Sequence, residues 1–182
     1  MATSEQTGQL GLAEYLAATL RLVLLGGAAI AAMGVAGRFL QWPLLSATLG
    51  PTIYVFMAHP RSESARLRSA VVGHATAVAA GLFSVAVFGL WNHPASNMAG
   101  HVTLHQAGAS AVALGITLAV LHLAQAHHAP AGATALLVAT GIAHPGRPLF
   151  GLMIGVGAVV ALGPALGRFP LGRTGLAEEE QQ

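Results

Sequence analysis

Cysteine, lysine and aspartate are all missing from this 182-residue chain, and aromatic residues make up only 5% of it. The absence of Cys excludes disulfides, thiolate chemistry and Cys-based metal sites. Every basic residue is Arg, and charged residues amount to 8% in a chain that is 54% hydrophobic. A soluble domain normally has about a quarter of its residues charged, because charge covers its surface. Between Arg68 and Arg147 no Lys, Arg, Asp or Glu occurs at all, yet eight of the nine histidines lie in that gap. An ionised side chain at the bilayer centre costs roughly 2.5–3.5 kcal/mol, which is the pressure that empties such a run of charge. The gap reads as integral membrane protein, with histidines, hydroxyls and backbone as the only polar chemistry at depth.

What is present agrees. Mean hydropathy is +0.67. The 23 Gly and many Ala favour close helix–helix packing in lipid, and their small faces favour a homo-oligomer. The net charge is +2 and the pI is near 9.9. Positive-inside anchoring explains these arginines better than nucleic-acid binding, since no basic patch is interleaved with aromatics. The polar, acidic start lacks a basic n-region, so no cleavable signal peptide is expected. The reading is one transmembrane domain over residues 16–168, its halves being 16–90 and 107–168. A polar segment, 1–15, precedes it, and a polar tail, 169–182, read as disordered, follows.

Cutting the chain at Gly, Pro and Arg gives hydrophobic stretches at about 16–37, 44–58, 69–90, 107–125, 130–143 and 148–166. The expected fold is all-α: a polytopic membrane helix bundle of about six hydrophobic segments, four long and two short or broken, in two pseudo-repeats of three. The short members resemble each other. Gly50-Pro51-Thr52 stands beside Gly132-Ala133-Thr134, and each segment ends in Ala-His-Pro, at His59 and at His144. Six crossings would place Arg21, Arg61, Arg66, Arg68, Arg168 and Arg173 on one side, opposite Arg38 and Arg147. That suits the positive-inside rule better than the alternative of four spans with re-entrant short segments, whose split is five (Arg38, Arg61, Arg66, Arg68, Arg147) to three.

Short, Gly/Pro-interrupted segments at matching positions of two halves point to a substrate site made from broken helices. A helix that starts inside the membrane exposes N–H groups and a positive dipole end, which together suit an anion. Thr52 and Thr134 fall in the first turns and add hydroxyls. Pro130 suits a first helical position, and His128 just before it sits where a cap would be. His74 lies about one turn inside the third stretch, with no carboxylate nearby in sequence. An ionisable residue at that depth is a functional candidate by default. Arg68 reads first as a boundary anchor and second as a basic vestibule. His122, just under two turns before His128, would line roughly the same side. His101 and His105 could pair at i, i+4 on a helix, but without carboxylate or Cys company they read as loop histidines.

Three features together resemble the HPP family of integral membrane proteins, named for a His-Pro-Pro motif. His128-Ala129-Pro130-Ala131-Gly132-Ala133 matches the extended motif, with Ala129 in place of its first proline. Arg68 followed by Gly73-His74 matches a second family feature, and the short apolar segment Gly50–Ala58 a third. The resemblance implies membrane transport, with nitrite uptake as the activity associated with plant plastid and cyanobacterial members. Some members carry a C-terminal regulatory CBS pair; none is expected in this chain, which ends soon after Pro170.

The function expected is movement of a small monovalent anion, nitrite first, across a bacterial inner membrane by a multi-pass protein. Its site would use His128, Pro130, Gly132, Thr134, Gly50, Pro51, Thr52, His74, Arg68 and His122. No catalysis, cofactor, resident metal or nucleic-acid partner is expected; the partners are the lipid bilayer and the anion. Competing readings are a channel-like pore for a small neutral solute, a divalent-metal transporter using the histidines, and a non-transporting assembly subunit.

Overall fold

The computed structural model describes residues 12–167. The polar segments expected at both ends, 1–15 and 169–182, lie almost entirely outside the described residues. Eight α-helices occupy the described chain: α1 (Leu12–Arg21), α2 (Gly27–Leu40), α3 (Leu49–Ala58), α4 (Leu67–Val87), α5 (Ser96–Ala99), α6 (Leu104–Leu123), α7 (Pro130–Ala139) and α8 (Arg147–Gly167). A π-turn, Leu22–Gly26, joins α1 to α2 in one 29-residue helix. Among the described residues there is no strand.

Four helices are long and apolar enough to cross a membrane: Leu12–Leu40, α4, α6 and α8. Helices α3 and α7 have 10 residues each and so rise about 15 Å, half of a hydrocarbon core about 30 Å thick. The order is therefore long, short, long, twice, with the one-turn α5 between the halves. Both short helices are briefer than their apolar stretches. Residues 44–46 run without regular structure and 47–48 turn into α3, and α7 stops at Ala139 before a turn through Gly141, whose φ is +79°.

Local chemistry sets the boundaries. Thr103 and Gln106 form a capping box at the start of α6, satisfying two orphan amides reciprocally. The buried Gln106 side chain also donates to Pro94 O at 3.1 Å and Thr140 O at 3.2 Å, tying that start to the end of α7. Pro130 opens α7 at a first-turn position, where its missing N–H costs nothing.

Two cores form. One gathers Phe56 and Met57 of α3 with Leu152, Val156 and Val159 of α8. The other packs α4, α6 and α7 through alanines: Ala77, Ala109, Ala113, Ala131 and Ala135 are all completely buried. Such faces bring backbones close, and van der Waals packing then holds helices together in lipid. At Gly81 of α4 a Cβ would lie 2.6 Å from Val138 Cβ of α7, so only glycine permits this approach.

Candidate functional site

Helix α4 is wedged against α6, α7 and α8. Its inward face carries Gly73 and His74, and the start of α7 lies across that face. A Cβ on Gly73 would stand 3.1 Å from Ala131 Cβ and 3.2 Å from His128 Cβ. Gly73 is thus the notch into which His128 fits, with the His74 and His128 ring centroids 4.9 Å apart. The two short helices begin at this same place. Thr48, just before α3, reaches the first carbonyl of α7, with Thr48 Oγ1 to Pro130 O at 3.1 Å. Thr48 and Pro130 stand four residues before Thr52 and Thr134, so the repeated positions of the two halves meet.

Around this contact lies a polar cluster that is enclosed except at His74. Thr48, Thr52, Thr134 and His128 have no exposed surface, and His74 is 6% exposed. His128 Nδ1 is 2.7 Å from Ser64 O, and His128 Nε2 is 3.1 Å from His74 Nε2. His74 Nδ1 is 2.9 Å from Thr134 Oγ1, which is 3.0 Å from Thr48 Oγ1. Thr52 stands to one side, donating to Thr48 O at 2.7 Å, with its oxygen 3.4 Å from His74 Nε2.

Hydrogen-bond chemistry fixes part of this arrangement. A carbonyl only accepts, so His128 Nδ1 carries a proton and donates to Ser64. A neutral His128 then offers Nε2 as an acceptor, and His74 Nε2–H donates to it. From the other end, Thr48 donates to Pro130 O and Thr134 donates to Thr48, so the contact of His74 Nδ1 with Thr134 needs its proton on the ring. The two backbone carbonyls thus ask His74 to carry a proton on each ring nitrogen, one more than a neutral imidazole holds.

The sequence-based candidates divide cleanly. His128, His74, Thr134, Thr52 and Pro130 come together. Gly50 and Pro51 are exposed, and Gly50 lies along a groove against Leu22, Gly26 and Ile30. Gly132 packs toward Leu114 of α6, where a Cβ would lie 3.2 Å from the leucine methyl. Arg68 is exposed and caps the end of α6 through Ala124 O at 3.1 Å, as an anchor would. His122 does not share a face with His128, because α6 ends at Leu123 and the chain turns through Gln125 at φ +49°. Its ring lies instead 6.2 Å from that of His127.

His128 is one residue outside the cap, which is Ala129. The amides expected to stay open are largely taken: Ala131 N bonds His128 O at 3.0 Å, Gly132 N bonds Ala129 O at 3.1 Å, and Leu49 N bonds Ser46 O at 3.1 Å. The donors here are hydroxyls and ring N–H groups. His101 precedes α6 and His105 lies within it, so they share no helix. Among the described residues no group of three or more His, Asp or Glu could hold a metal.

Thr48 and the Ser64 carbonyl are the members that sequence reasoning missed. Thr48 had one usable signal, its place four residues before Thr52, which mirrors Pro130 before Thr134. A backbone carbonyl in the loop at Ser64 has none. A groove of about 450 Å³ between α4 and α8 reaches the cluster; His74 is its one polar lining residue, beside Ala70, Val78 and Val156.

No curated protein and no solved structure matches this chain. The family description "HPP, transmembrane region" does match, over residues 13–169, which takes in both short helices and the His128–Gly73–His74 notch. This chain belongs to the HPP family of membrane proteins.

Proposed function

We propose that this protein moves a small monovalent anion across the membrane, with nitrite the first candidate, and performs no chemical conversion on it. The observation that carries this reading is the meeting of two half-length helices at one buried cluster of threonines and histidines. Helix starts inside a bilayer are stable only where protein, water or substrate satisfies their backbone groups, and broken helices at matching positions of two halves are the usual setting of a transport site. The positive dipole ends of α3 and α7 favour negative charge. No fixed charge touches the cluster in the contacts of the described residues, which suits a monovalent ligand over a divalent one. The choice of nitrite rests on the family resemblance, as does the assignment to a bacterial inner membrane.

Purified protein in liposomes should take up nitrite faster than protein-free vesicles. His128→Ala and Thr134→Val should slow that uptake while leaving a monodisperse, folded protein. Equal uptake by both variants removes these residues from the path, and no uptake above empty vesicles overturns the reading. A pore for small neutral solutes is a second reading, favoured by the apolar lining of the α4–α8 groove. It predicts swelling of vesicles in uncharged solutes the size of urea.

A further inference from the structure

The buried cluster is a single chain of contacts with an acceptor at each end. From Ser64 O it passes to His128 Nδ1 (2.7 Å), from His128 Nε2 to His74 Nε2 (3.1 Å), and from His74 Nδ1 to Thr134 Oγ1 (2.9 Å). It continues to Thr48 Oγ1 (3.0 Å) and ends on Pro130 O (3.1 Å). Each of these five contacts needs one proton, and both terminal carbonyls can only accept. Two neutral imidazoles and two hydroxyls supply four. Thr52 adds none, because its hydroxyl proton is spent on Thr48 O at 2.7 Å. In its neutral form the chain is one proton short.

One added proton completes it without moving a heavy atom. With His74 Nδ1–H donating to Thr134, Thr134 donates to Thr48, and Thr48 donates to Pro130 O. The remaining ring proton lies between His74 Nε2 and His128 Nε2. Every contact is then a hydrogen bond, and the cluster carries one positive charge. That charge sits where burial opposes it unless an opposite charge arrives with it. Among the described residues no carboxylate contacts the cluster to supply one. Glu63 is spoken for by Arg66 at 3.2 Å and by His127 at 3.1 Å. Of the other titratable groups on the surrounding elements, Arg68 lies on Ala124 O, His122 against His127, and Tyr54 against His59 at the end of α3. Arg147 is exposed at the start of α8. Helix α7 carries no titratable side chain.

We propose that the His74–His128 pair binds one proton for each anion, so that the protein moves the two together as an electroneutral pair. Completing the chain favours the proton, and the resulting cation favours the anion; each therefore raises the affinity for the other by the same factor. This rests on the anion-transport reading above and adds the coupling ion to it.

The test uses purified full-length protein in liposomes loaded with a pH-sensitive dye, with protein-free vesicles subtracted. Nitrite entry should acidify the lumen by one proton per nitrite. An inside-alkaline gradient should drive accumulation, and a potassium potential clamped with valinomycin should leave the rate unchanged. Uptake that follows the potential and leaves the lumen pH constant overturns the proposal while keeping anion transport. No uptake at all overturns anion transport itself, and this proposal with it. His74→Gln keeps hydrogen-bonding groups but cannot hold the proton. Gradient-driven accumulation and the lumen acidification that accompanies nitrite entry should both fall tenfold or more. A variant that still acidifies the lumen one for one overturns the assignment to His74. Wild-type stoichiometry decides the matter should the variant not fold.

Discussion

The two halves of the chain present the same order of helices but use their first long helix differently. In the first half, only 11% of the most apolar stretch of Leu12–Leu40 is buried, against 28% for α6 in the second. Leu12–Leu40 touches the rest of the protein chiefly where its π-turn meets α3, and through the buried Arg21, which donates to Leu166 O at 2.9 Å and Gly167 O at 3.1 Å. Helix α6 is instead packed against α4 and α7 through completely buried alanines. Lipid can cover an apolar helix as well as protein can, so a like pattern of apolar residues leaves this difference open. The polar cluster is asymmetric in the same way. The start of α3 gives two hydroxyls, while the start of α7 gives a hydroxyl, a carbonyl and a neighbouring imidazole. Repetition in sequence has set the meeting of two helix starts; the chemistry at that meeting comes unequally from the two halves.

This asymmetry is open to direct attack. His128→Ala should have the largest effect, since it leaves Ser64 O and His74 Nε2 without a partner and empties the notch over Gly73. An unsatisfied buried group costs about 1–3 kcal/mol and a deleted large side chain adds a cavity term, so nitrite uptake into proteoliposomes should fall on the order of a hundredfold. Next comes the threonine pair. Thr134 is within the chain of contacts and Thr52 beside it, so Thr134→Val should slow uptake roughly tenfold and Thr52→Val only about two- to threefold, a bond's net worth being about 1 kcal/mol. Equal losses would restore the symmetry of the two halves.

Packing gives a smaller contrast, read as the unfolding midpoint in detergent. Gly81→Ala forces a methyl into Val138 and should destabilise by about 1–3 kcal/mol, as overpacking does. Gly27→Ala, in the lipid-facing helix with nothing within 4 Å of the new methyl, should stay within about 0.5 kcal/mol of wild type. Smallest of all, Arg68→Gln removes one exposed bond to Ala124 O and should leave both uptake and midpoint almost unchanged; a large loss would reinstate Arg68 as part of an anion vestibule.

Much of the fold was legible before any coordinates. Helices α4, α6 and α8 lie within a few residues of the expected stretches because lipid demands about 20 apolar residues and tolerates few charges. The two short helices were visible through Gly50-Pro51 and Pro130. The site was legible only as separate pieces. His74, His128, Thr52 and Thr134 were each singled out, but so were Arg68 and His122, which lie elsewhere. His128 is marked locally by the Pro130 that follows it, but nothing local says that His122 points elsewhere; the turn after Leu123 sends one inward and leaves the other outside. Thr48 escaped notice because a threonine before a helix is ordinary.

The chain by itself determined that this is a helical membrane protein whose polar chemistry at depth falls mainly to histidine, hydroxyl and backbone. Those conclusions follow from composition, which the bilayer reads residue by residue. Tertiary structure decided that His74 and His128, 54 positions apart, share a contact, and that Thr134 and Thr48 extend it to a carbonyl. Such a chain depends on distances of about 3 Å between helices, and the close approach that sets them comes from glycine and alanine faces packed together, which no stretch of sequence specifies alone.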